Sequence, residues 1–248
     1  MDLIKNVAYG ERVERDHLLD IYLPENKDFK TFVYIHGGGI VEGNKEGVKI
    51  PDCEAITKAG YAVVKINYRL YPNAKFPEYL YDAAQAVAWV KEHIKDYGGN
   101  GDLIVGGSSA GGYISMMICF DDTYLKAFGV STKDITAWIF DAGQPTSHFN
   151  HLKFDKKIDS RAIVADESAP IYFVRQYDGL APMLIFAAEN DMACRLEQTH
   201  MLLKTLKMFG YPEENIKFEY MEGYRHCEYN NYPCFAEKIL SFLKEHNV

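Results

Sequence analysis

The chain has 248 residues, with 27 Lys or Arg against 35 Asp or Glu, so its formal net charge is −8 at pH 7. A hydrophobic fraction of 48% is ordinary for a globular protein and excludes a disordered chain. The acidic balance, without a cluster of Lys and Arg, argues against nucleic acid and anionic membrane surfaces as partners, because both require concentrated positive charge. No apolar run approaches the ~20 residues that a membrane-spanning helix needs.

The number and spacing of the cysteines bear on the cellular compartment and on metal binding. They are odd in number and scattered, with no CxxC spacing: Cys53, Cys119, Cys194, Cys227 and Cys234. This pattern predicts neither a disulfide framework nor a zinc site. The first residues, MDLIK, lack the basic start and apolar stretch of a secretory signal. We therefore expect a cytoplasmic protein without a metal.

Short apolar runs alternate with longer amphipathic segments along the chain. In chain order the pattern predicts strands over 18–23, 31–35 and 62–67, a helix over 79–94, a strand over 103–106, a helix over 110–120, strands over 135–141 and 183–188, a helix over 196–209, a strand over 217–221 and a helix over 235–244. This order predicts an α/β fold in which helices cover both faces of a mostly parallel sheet, as one domain over residues 1–248.

The segment from about 143 to 168 interrupts this alternation. It is polar, rich in His, Asp and Lys, and without a clear period. Loops of this length within a domain are usually functional, and we expect a small cap over the carboxyl ends of the strands. Two hypotheses are open for His148, His151 and Asp155 of this segment: ligation of a metal, or contact with a polar substrate such as a sugar ester.

Gly107-Ser108-Ser109-Ala110-Gly111 fits the pattern G-x-S-x-G, directly after a predicted strand and directly before a predicted helix. A serine on such a tight turn presents its hydroxyl outward from a strained backbone, and glycines are needed two residues before and after it. Ser109 has both glycines, whereas Ser108 would place Ala110 where the second glycine belongs. We therefore predict Ser109 as a nucleophile.

Three consecutive glycines follow His36, directly after the predicted strand over 31–35. Their backbone freedom allows several amides to be directed at one point, which in acyl transfer is the oxyanion of the tetrahedral intermediate. A phosphate-binding loop is the alternative, but no GK[ST] sequence follows. The glycines therefore favour acyl-transfer chemistry.

A serine nucleophile requires a base, and that base requires an orienting carboxylate. The acid is expected after the strand over 183–188, where Glu189 and Asp191 are both candidates. We favour Asp191, which lies further into the loop. The base is expected after the strand over 217–221, where His226 follows in a loop that contains a glycine.

With these motifs the sequence resembles the α/β-hydrolase superfamily, and within it the hormone-sensitive-lipase-like esterases and the related bacterial feruloyl/acetyl esterases. The matching stretches are LDIYLP at 19–24, HGGG at 36–39, NYRL at 67–70, FPEYLYDAAQAVAWV at 76–90, GGSSAGGY at 106–113, PMLIFAAEND at 182–191 and EGYRH at 222–226. They cover most of the chain in the order and spacing of that group. Since LDIYLP begins at residue 19, we expect no N-terminal cap of the kind that larger members carry.

The resemblance implies a serine carboxylesterase in which Ser109 is the nucleophile, Asp191 the orienting acid and His226 the general base. The substrate would be a small-molecule ester with a short-chain or aromatic acyl group, such as an acetyl or feruloyl ester of a carbohydrate. No metal or organic cofactor is implied. The same triad would also serve an amidase, a peptidase or an aryl-formamidase, and a non-catalytic small-molecule receptor is a further alternative.

Other roles also follow from the resemblance. The amides of Gly38, Gly39 and Ala110 would form the oxyanion hole. His36 would brace the glycine loop, and Asp82 resembles a structural aspartate of the group. Cys227, beside the predicted base, is interpreted as a packed thiol because no second base is evident near it.

Overall fold

A mixed β-sheet forms the centre of the protein in the computed structural model, which describes residues 2–12, 15–46 and 53–248. Its strands are β1 (Asp2–Ala8), β2 (Leu18–Leu23), β3 (Phe29–Ile35), β4 (Ala62–Ile66), β5 (Gly99–Ser108), β6 (Ile135–Asp141), β7 (Met183–Asn190) and β8 (Ile216–Arg225). They lie in the order β1-β2-β4-β3-β5-β6-β7-β8. β2 is antiparallel to both β1 and β4, and the pairs from β4 to β8 are parallel. The mostly parallel sheet predicted from the sequence is confirmed.

Helices cover both faces of this sheet, as predicted. They are α1 (Cys53–Lys58), α2 (Glu78–His93), α3 (Ala110–Phe120), α4 (Thr123–Lys126), α5 (Phe149–His151), α6 (Arg195–Met208) and α7 (Cys234–Glu245). The apolar residues of α2, α3, α4 and α6 belong to one buried cluster, and those of α1 and α7 belong to another. In β3, Val33 and Ile35 enter the first cluster while Phe32 and Tyr34 enter the second, which is the two-residue period of a strand buried on both faces.

The first strand was not predicted. β1 lies at the edge of the sheet, where most of its side chains are exposed or half-buried. An edge strand of this kind carries little hydrophobic alternation, and its pairing depends on contacts with β2, such as the hydrogen bond of 2.8 Å from the amide of Asn6 to Asp20 Oδ1.

The segment over 143–168 lies at the carboxyl end of β6 and is more ordered than its polar sequence suggests. Its first residues, 143–148, are buried despite their polarity. Thr146 Oγ1 donates to Gln198 Oε1 of α6 over 2.7 Å, and Gln144 Nε2 donates to the carbonyl of Ser147 over 2.9 Å. These hydrogen bonds compensate the burial of polar groups. α5 follows, and the single domain with a cap-like insertion remains our prediction.

The part of the chain that the structure describes contains no candidate for a membrane-spanning helix. No helix there combines the length and the apolar character that a bilayer span requires.

Candidate active site

Ser109 lies on a sharp turn between β5 and α3. Its backbone has φ 56° and ψ −113°, and its amide donates to the carbonyl of Asp141 over 2.8 Å. A Cβ atom on Gly107 would lie 2.3 Å from the carbonyl oxygen of Ile35, and one on Gly111 would lie 1.9 Å from the same atom. Side chains at these positions would therefore collide with β3, which is the physical reason for both glycines.

His226 connects two side chains that are distant in the sequence. Its Nε2 atom lies 2.8 Å from Ser109 Oγ, and its Nδ1 atom lies 2.6 Å from Asp191 Oδ1. A neutral imidazole that donates from Nδ1 to the carboxylate leaves Nε2 free to accept the serine proton. The structure thus brings the three predicted residues into one hydrogen-bonded chain.

Asp191, rather than Glu189, contacts the imidazole. The Asp191 side chain is only 1% exposed, and its Oδ1 also accepts the amide of Met192 over 2.6 Å. Glu189 is exposed, and its Oε2 accepts the amide of Gly223 over 2.8 Å. The preference for Asp191 therefore agrees with the geometry.

The glycine loop after β3 lies directly against Ser109. A Cβ atom on Gly37 would be 3.2 Å from Ser109 Cβ. Gly38 and Gly39 have φ of 104° and 62°, in the region that favours glycine. The carbonyl of Gly38 accepts the amides of Val41 and Glu42 over 3.1 and 3.0 Å. Because the N–H and C=O of a trans peptide point in opposite directions, these bonds direct the Gly39 N–H away from them.

His36 supports the preceding peptide of the same loop. Its ring is buried and stacks on Tyr68 with centroids 4.4 Å apart, and its Nδ1 lies 2.6 Å from the carbonyl oxygen of Gly37. Burial lowers the pKa of His36 to about 4, so the ring is neutral at pH 7. A neutral ring that donates from Nδ1 fixes the peptide between Gly37 and Gly38, and with it the Gly38 N–H.

An open cleft of about 820 Å³ surrounds Ser109 and His226. Its walls include apolar side chains, Val41, Phe149 and Met192, and polar side chains, Glu42, Asn150, Asn230 and Asn231.

Asn150 is a site residue that the sequence analysis did not identify. Its Nδ2 donates to the carbonyl of Gly39 over 2.7 Å, so a side chain of the cap holds the glycine loop. Nothing in the irregular sequence of the cap distinguishes this asparagine from its polar neighbours.

The three cap residues considered as metal ligands or substrate contacts pack within the cap and against the segment before α2, where the amide of Phe76 donates to Asp155 Oδ2 over 3.3 Å. His151 Nδ1 lies 2.9 Å from Asp155 Oδ2, whereas His148 accepts the amide of Asn150 over 3.2 Å and stacks on Phe149. Burial lowers the pKa of His148 well below its usual value. None of the three lines the cleft around Ser109. Among the described residues, no group of three or more His, Cys, Asp or Glu side chains is arranged to hold a metal ion. The positions of these three residues therefore support neither hypothesis.

Cys227 follows His226 at the edge of the cleft, in a backbone conformation with φ 54°. Burial of its thiol, together with the nearby carboxylates of Asp141 and Asp191, raises its pKa well above the usual value. A protonated thiol is a weak nucleophile, which agrees with the interpretation of Cys227 as a packed side chain.

The chain is similar in sequence to proteins described as esterases. Among curated proteins, the chain is 37% identical over 117 residues to "Probable carboxylic ester hydrolase LipM" of Mycobacterium tuberculosis, covering 45% of this chain and 27% of that protein. It is 28% identical over 252 residues to "Esterase LipC" of the same organism, covering 89% of this chain and 61% of that protein. The chain thus spans less than two thirds of the length of these relatives.

Solved structures share the whole fold at low sequence identity. A truncated carbohydrate esterase from gut microbiota superposes with a TM-score of 0.80 at 19% identity, covering 100% of this chain and 97% of that one. Esterase 2 of Thermogutta terrifontis with bound butyrate gives a TM-score of 0.74 at 23% identity, covering 92% and 89% of the two chains. The fold is that of the α/β hydrolases.

The family model for BD-FAE matches residues 19–206, which is well over half of the chain. The matched region includes the glycine loop, the turn at Ser109 and Asp191, and it ends before His226. The chain belongs to the BD-FAE family of α/β hydrolases.

Proposed function

We propose that the chain is a serine carboxylesterase that hydrolyses small-molecule esters through an acyl-enzyme intermediate. The observation that carries this proposal is the position of His226, whose two ring nitrogens lie 2.8 Å from Ser109 Oγ and 2.6 Å from Asp191 Oδ1. Nucleophile, base and orienting acid in this arrangement are the requirements for activating a serine hydroxyl.

In the proposed reaction, His226 Nε2 removes the hydroxyl proton as Ser109 Oγ attacks the ester carbonyl. Asp191 holds the imidazole in the required tautomer and stabilises the imidazolium that forms. His226 then returns the proton to the departing alcohol, which leaves an ester of Ser109. A water molecule, deprotonated by the same imidazole, attacks this acyl-enzyme and releases the acid.

The amides of Gly38, Gly39 and Ala110 are proposed to stabilise the oxyanion of both tetrahedral intermediates. Support comes from the hydrogen bonds that fix the two glycine peptides, and from the position of Ala110 as the first residue of α3, where the amide has no partner within the helix. Such a donor contributes roughly 3–4 kcal/mol to transition-state stabilisation in other enzymes.

The substrates are proposed to carry short-chain or aromatic acyl groups, including acetyl or feruloyl esters of carbohydrates. The polar side chains of Glu42, Asn150 and Asn231 on the cleft wall have hydrogen-bonding groups that suit sugar hydroxyls, and Phe149 offers a face for an apolar acyl group. A solved structure with the same fold is described as a carbohydrate esterase, which also supports esters of carbohydrates as substrates.

The first experiment compares hydrolysis of p-nitrophenyl acetate by the wild-type protein, Ser109→Ala and Ser115→Ala. Ser115 is a matched control, since it is a buried serine on α3, the helix that follows Ser109, and its Oγ donates to the carbonyl of Gly112. We expect kcat to fall about 10⁴-fold or more for Ser109→Ala and to stay within about twofold for Ser115→Ala. Equal rates for the wild type and Ser109→Ala would refute the proposal.

A second experiment separates esterase from amidase activity. The acetyl group is kept and the leaving group is changed, by comparing p-nitrophenyl acetate with p-nitroacetanilide on the same protein. We expect hydrolysis of the ester at a far higher kcat/KM. A preference for the anilide would replace the esterase with an amidase on the same triad.

A further inference from the structure

A buried polar cluster that the proposed reaction does not use lies beside Ser109. At its centre is the carboxylate of Asp141, the last residue of β6, which is 1% exposed. This carboxylate accepts hydrogen bonds from the hydroxyls of Ser108 and Tyr229 and from Asn230 Nδ2, the last over 2.6 Å. Tyr34 of β3 completes the cluster by donating to Ser108 Oγ over 2.8 Å.

Asp141 contacts Ser109 and the turn that follows His226. Its backbone carbonyl accepts the amide of Ser109 over 2.8 Å, and its carboxylate accepts hydrogen bonds from two residues of that turn, Tyr229 and Asn230. That turn is the 3₁₀ helix Glu228–Asn231, which begins two residues after the imidazole. One residue at the end of β6 therefore joins the nucleophile to the segment that presents the base.

The backbone directly after His226 is in a conformation that needs support. Cys227, the next residue, has φ 54°, a region that residues with a Cβ atom adopt at a cost. A strained residue keeps its conformation only where the surrounding contacts impose it. Tyr229 and Asn230 supply these contacts on the far side of Cys227, because both bind the Asp141 carboxylate.

The chemistry of the cluster argues for a geometric role. Burial raises the pKa of Asp141, and its three side-chain donors are neutral, so the carboxyl group is buried without a salt bridge among these partners. The directional hydrogen bonds of such a buried cluster fix one arrangement of the elements that it joins.

We propose that Asp141 is a positioning residue, which acts through Tyr229 and Asn230 to hold His226 within hydrogen-bond distance of Ser109. The proposal rests on the esterase function proposed above. Loss of the anchor is expected to allow the imidazole to move away from the hydroxyl. Substrate binding in the cleft is then expected to persist while activation of Ser109 is lost.

The test uses Tyr229→Phe, which removes one hydroxyl from the cluster and keeps the ring that packs on Phe186 and Phe235. Tyr9→Phe is the matched control, because Tyr9 is also buried and its hydroxyl donates to the carbonyl of Asn67 over 2.6 Å. Asn67 follows β4, which two strands, β3 and β5, separate from β6 in the sheet. For each protein we would measure kcat and KM on p-nitrophenyl acetate, and the free energy of unfolding in urea.

We expect Tyr229→Phe to lower kcat about tenfold or more with KM within about twofold, because misplacement of a catalytic group by even 1 Å is costly. Tyr9→Phe is expected to lower stability with kcat unchanged. A kcat of Tyr229→Phe within twofold of the wild type, or the same reduction in both variants, would overturn the positioning role. Asn230→Ala, which removes a second donor from the same turn, is expected to repeat the loss of kcat.

Labelling of Ser109 by a fluorophosphonate separates this proposal from the esterase proposal, because labelling depends on the activated serine and not on recognition of an ester. If the wild type labels but hydrolyses no ester, the esterase function fails and the positioning role is judged by the labelling rate, which we expect to fall about tenfold in Tyr229→Phe and to stay unchanged in Tyr9→Phe. If the wild type does not label at Ser109, both proposals fail.

Discussion

The Nε2 atom of His226 lies 2.8 Å from Ser109 Oγ, although 117 residues separate the two positions in the sequence. The parallel order of β5, β6, β7 and β8 produces this proximity, because the carboxyl ends of neighbouring parallel strands meet at one edge of the sheet. Asp191 follows β7 at the same edge and contacts the other ring nitrogen over 2.6 Å.

The identity of the acid gives the first prediction. Asp191→Asn keeps the shape of the side chain but removes the charge that orients His226 Nδ1–H, so we expect kcat on p-nitrophenyl acetate to fall about 10³–10⁴-fold. Glu189→Gln is the matched control, because Glu189 is exposed and its Oε2 accepts the amide of Gly223 instead of contacting His226. It should retain kcat within about threefold. A larger loss in Glu189→Gln than in Asp191→Asn would reverse the assignment of the acid.

The glycine loop gives the second prediction. A Cβ atom on Gly38 would lie 2.0 Å from the carbonyl oxygen of Glu42, so Gly38→Ala must displace the peptides that are proposed to bind the oxyanion. We expect kcat to fall at least about 10²-fold. Gly179→Ala is the control, because Gly179 has a similar φ, 98° against 104°, with no atom within 4 Å of the added Cβ.

Gly179→Ala is expected to cost about 1–2 kcal/mol of stability through backbone strain alone. Its kcat should match that of the wild type. Comparable losses of kcat in both glycine variants would mean that positive φ, rather than the loop at Gly38, explains the effect.

The contact between the cap and the glycine loop gives the third prediction. Asn150 Nδ2 donates to the carbonyl of Gly39 over 2.7 Å. Asn150→Ala removes this bond, and we expect kcat to fall about 5- to 30-fold, as about 1–2 kcal/mol would produce. Asn150→Asp should be the more damaging variant, because a carboxylate would repel the carbonyl oxygen. Steady-state kinetics of the two variants decide the matter, and a fully active Asn150→Asp would contradict a role for the bond.

The buried ion pair between α2 and the segment after β4 gives the fourth prediction. Asp82 Oδ2 lies 2.8 Å from Arg69 Nε, and Asp82 Oδ1 lies 2.8 Å from Arg69 Nη2, with the two side chains only 3% and 14% exposed. Asp82→Asn removes the buried carboxylate from the guanidinium and leaves it with the half-exposed Glu78, 3.2 Å from Arg69 Nη1, so we expect the free energy of unfolding to fall by about 2–4 kcal/mol.

Glu54→Gln is the control for Asp82→Asn, because it breaks the pair of Glu54 with Lys58, whose side chains are 70% and 78% exposed. Its effect should stay below about 0.5 kcal/mol. Urea unfolding of both variants measures the difference. Equal effects would show that burial does not determine the strength of these pairs.

Local sterics explain why part of the site could be predicted from the sequence. The turn at Ser109 requires Gly107 and Gly111 because β3 leaves no room for side chains there, and this requirement is visible as a motif. Asp191 and His226 follow predicted strands, so the order of the strands was enough to bring them to the same edge of the sheet.

Contacts made only in the folded chain explain what could not be predicted. Asp141 ends an ordinary apolar strand. Its proposed positioning role depends on hydrogen bonds with Tyr229 and Asn230, which are 88 and 89 residues away in the sequence. The buried position of Thr146 in the cap likewise depends on Gln198 of α6. Buried polar side chains of this kind produce no regular pattern in the sequence, because each is hydrogen-bonded to one specific partner elsewhere in the chain.

The pH dependence of stability gives the last prediction. Burial lowers the pKa of His36 from 6.5 to about 4, so above pH 6.5 this residue is neutral in both the folded and the unfolded chain. As the pH falls below 6.5, the unfolded chain binds the proton first and becomes favoured. His36 therefore lowers the free energy of unfolding by about 2 kcal/mol at pH 5 and by about 3 kcal/mol well below pH 4.

His36→Gln removes this contribution and leaves those of the other groups in place. His148, whose pKa is also lowered by burial, acts in the same direction as His36, whereas Asp141, whose pKa is raised, acts in the opposite direction. His148 and Asp141 are present in both the wild type and His36→Gln. The difference between the two proteins in how stability depends on pH therefore reports the contribution of His36. Unfolding in urea from pH 7.5 to 4.5 should therefore show a smaller loss of stability for His36→Gln than for the wild type. Parallel profiles would mean that burial does not lower the pKa of His36.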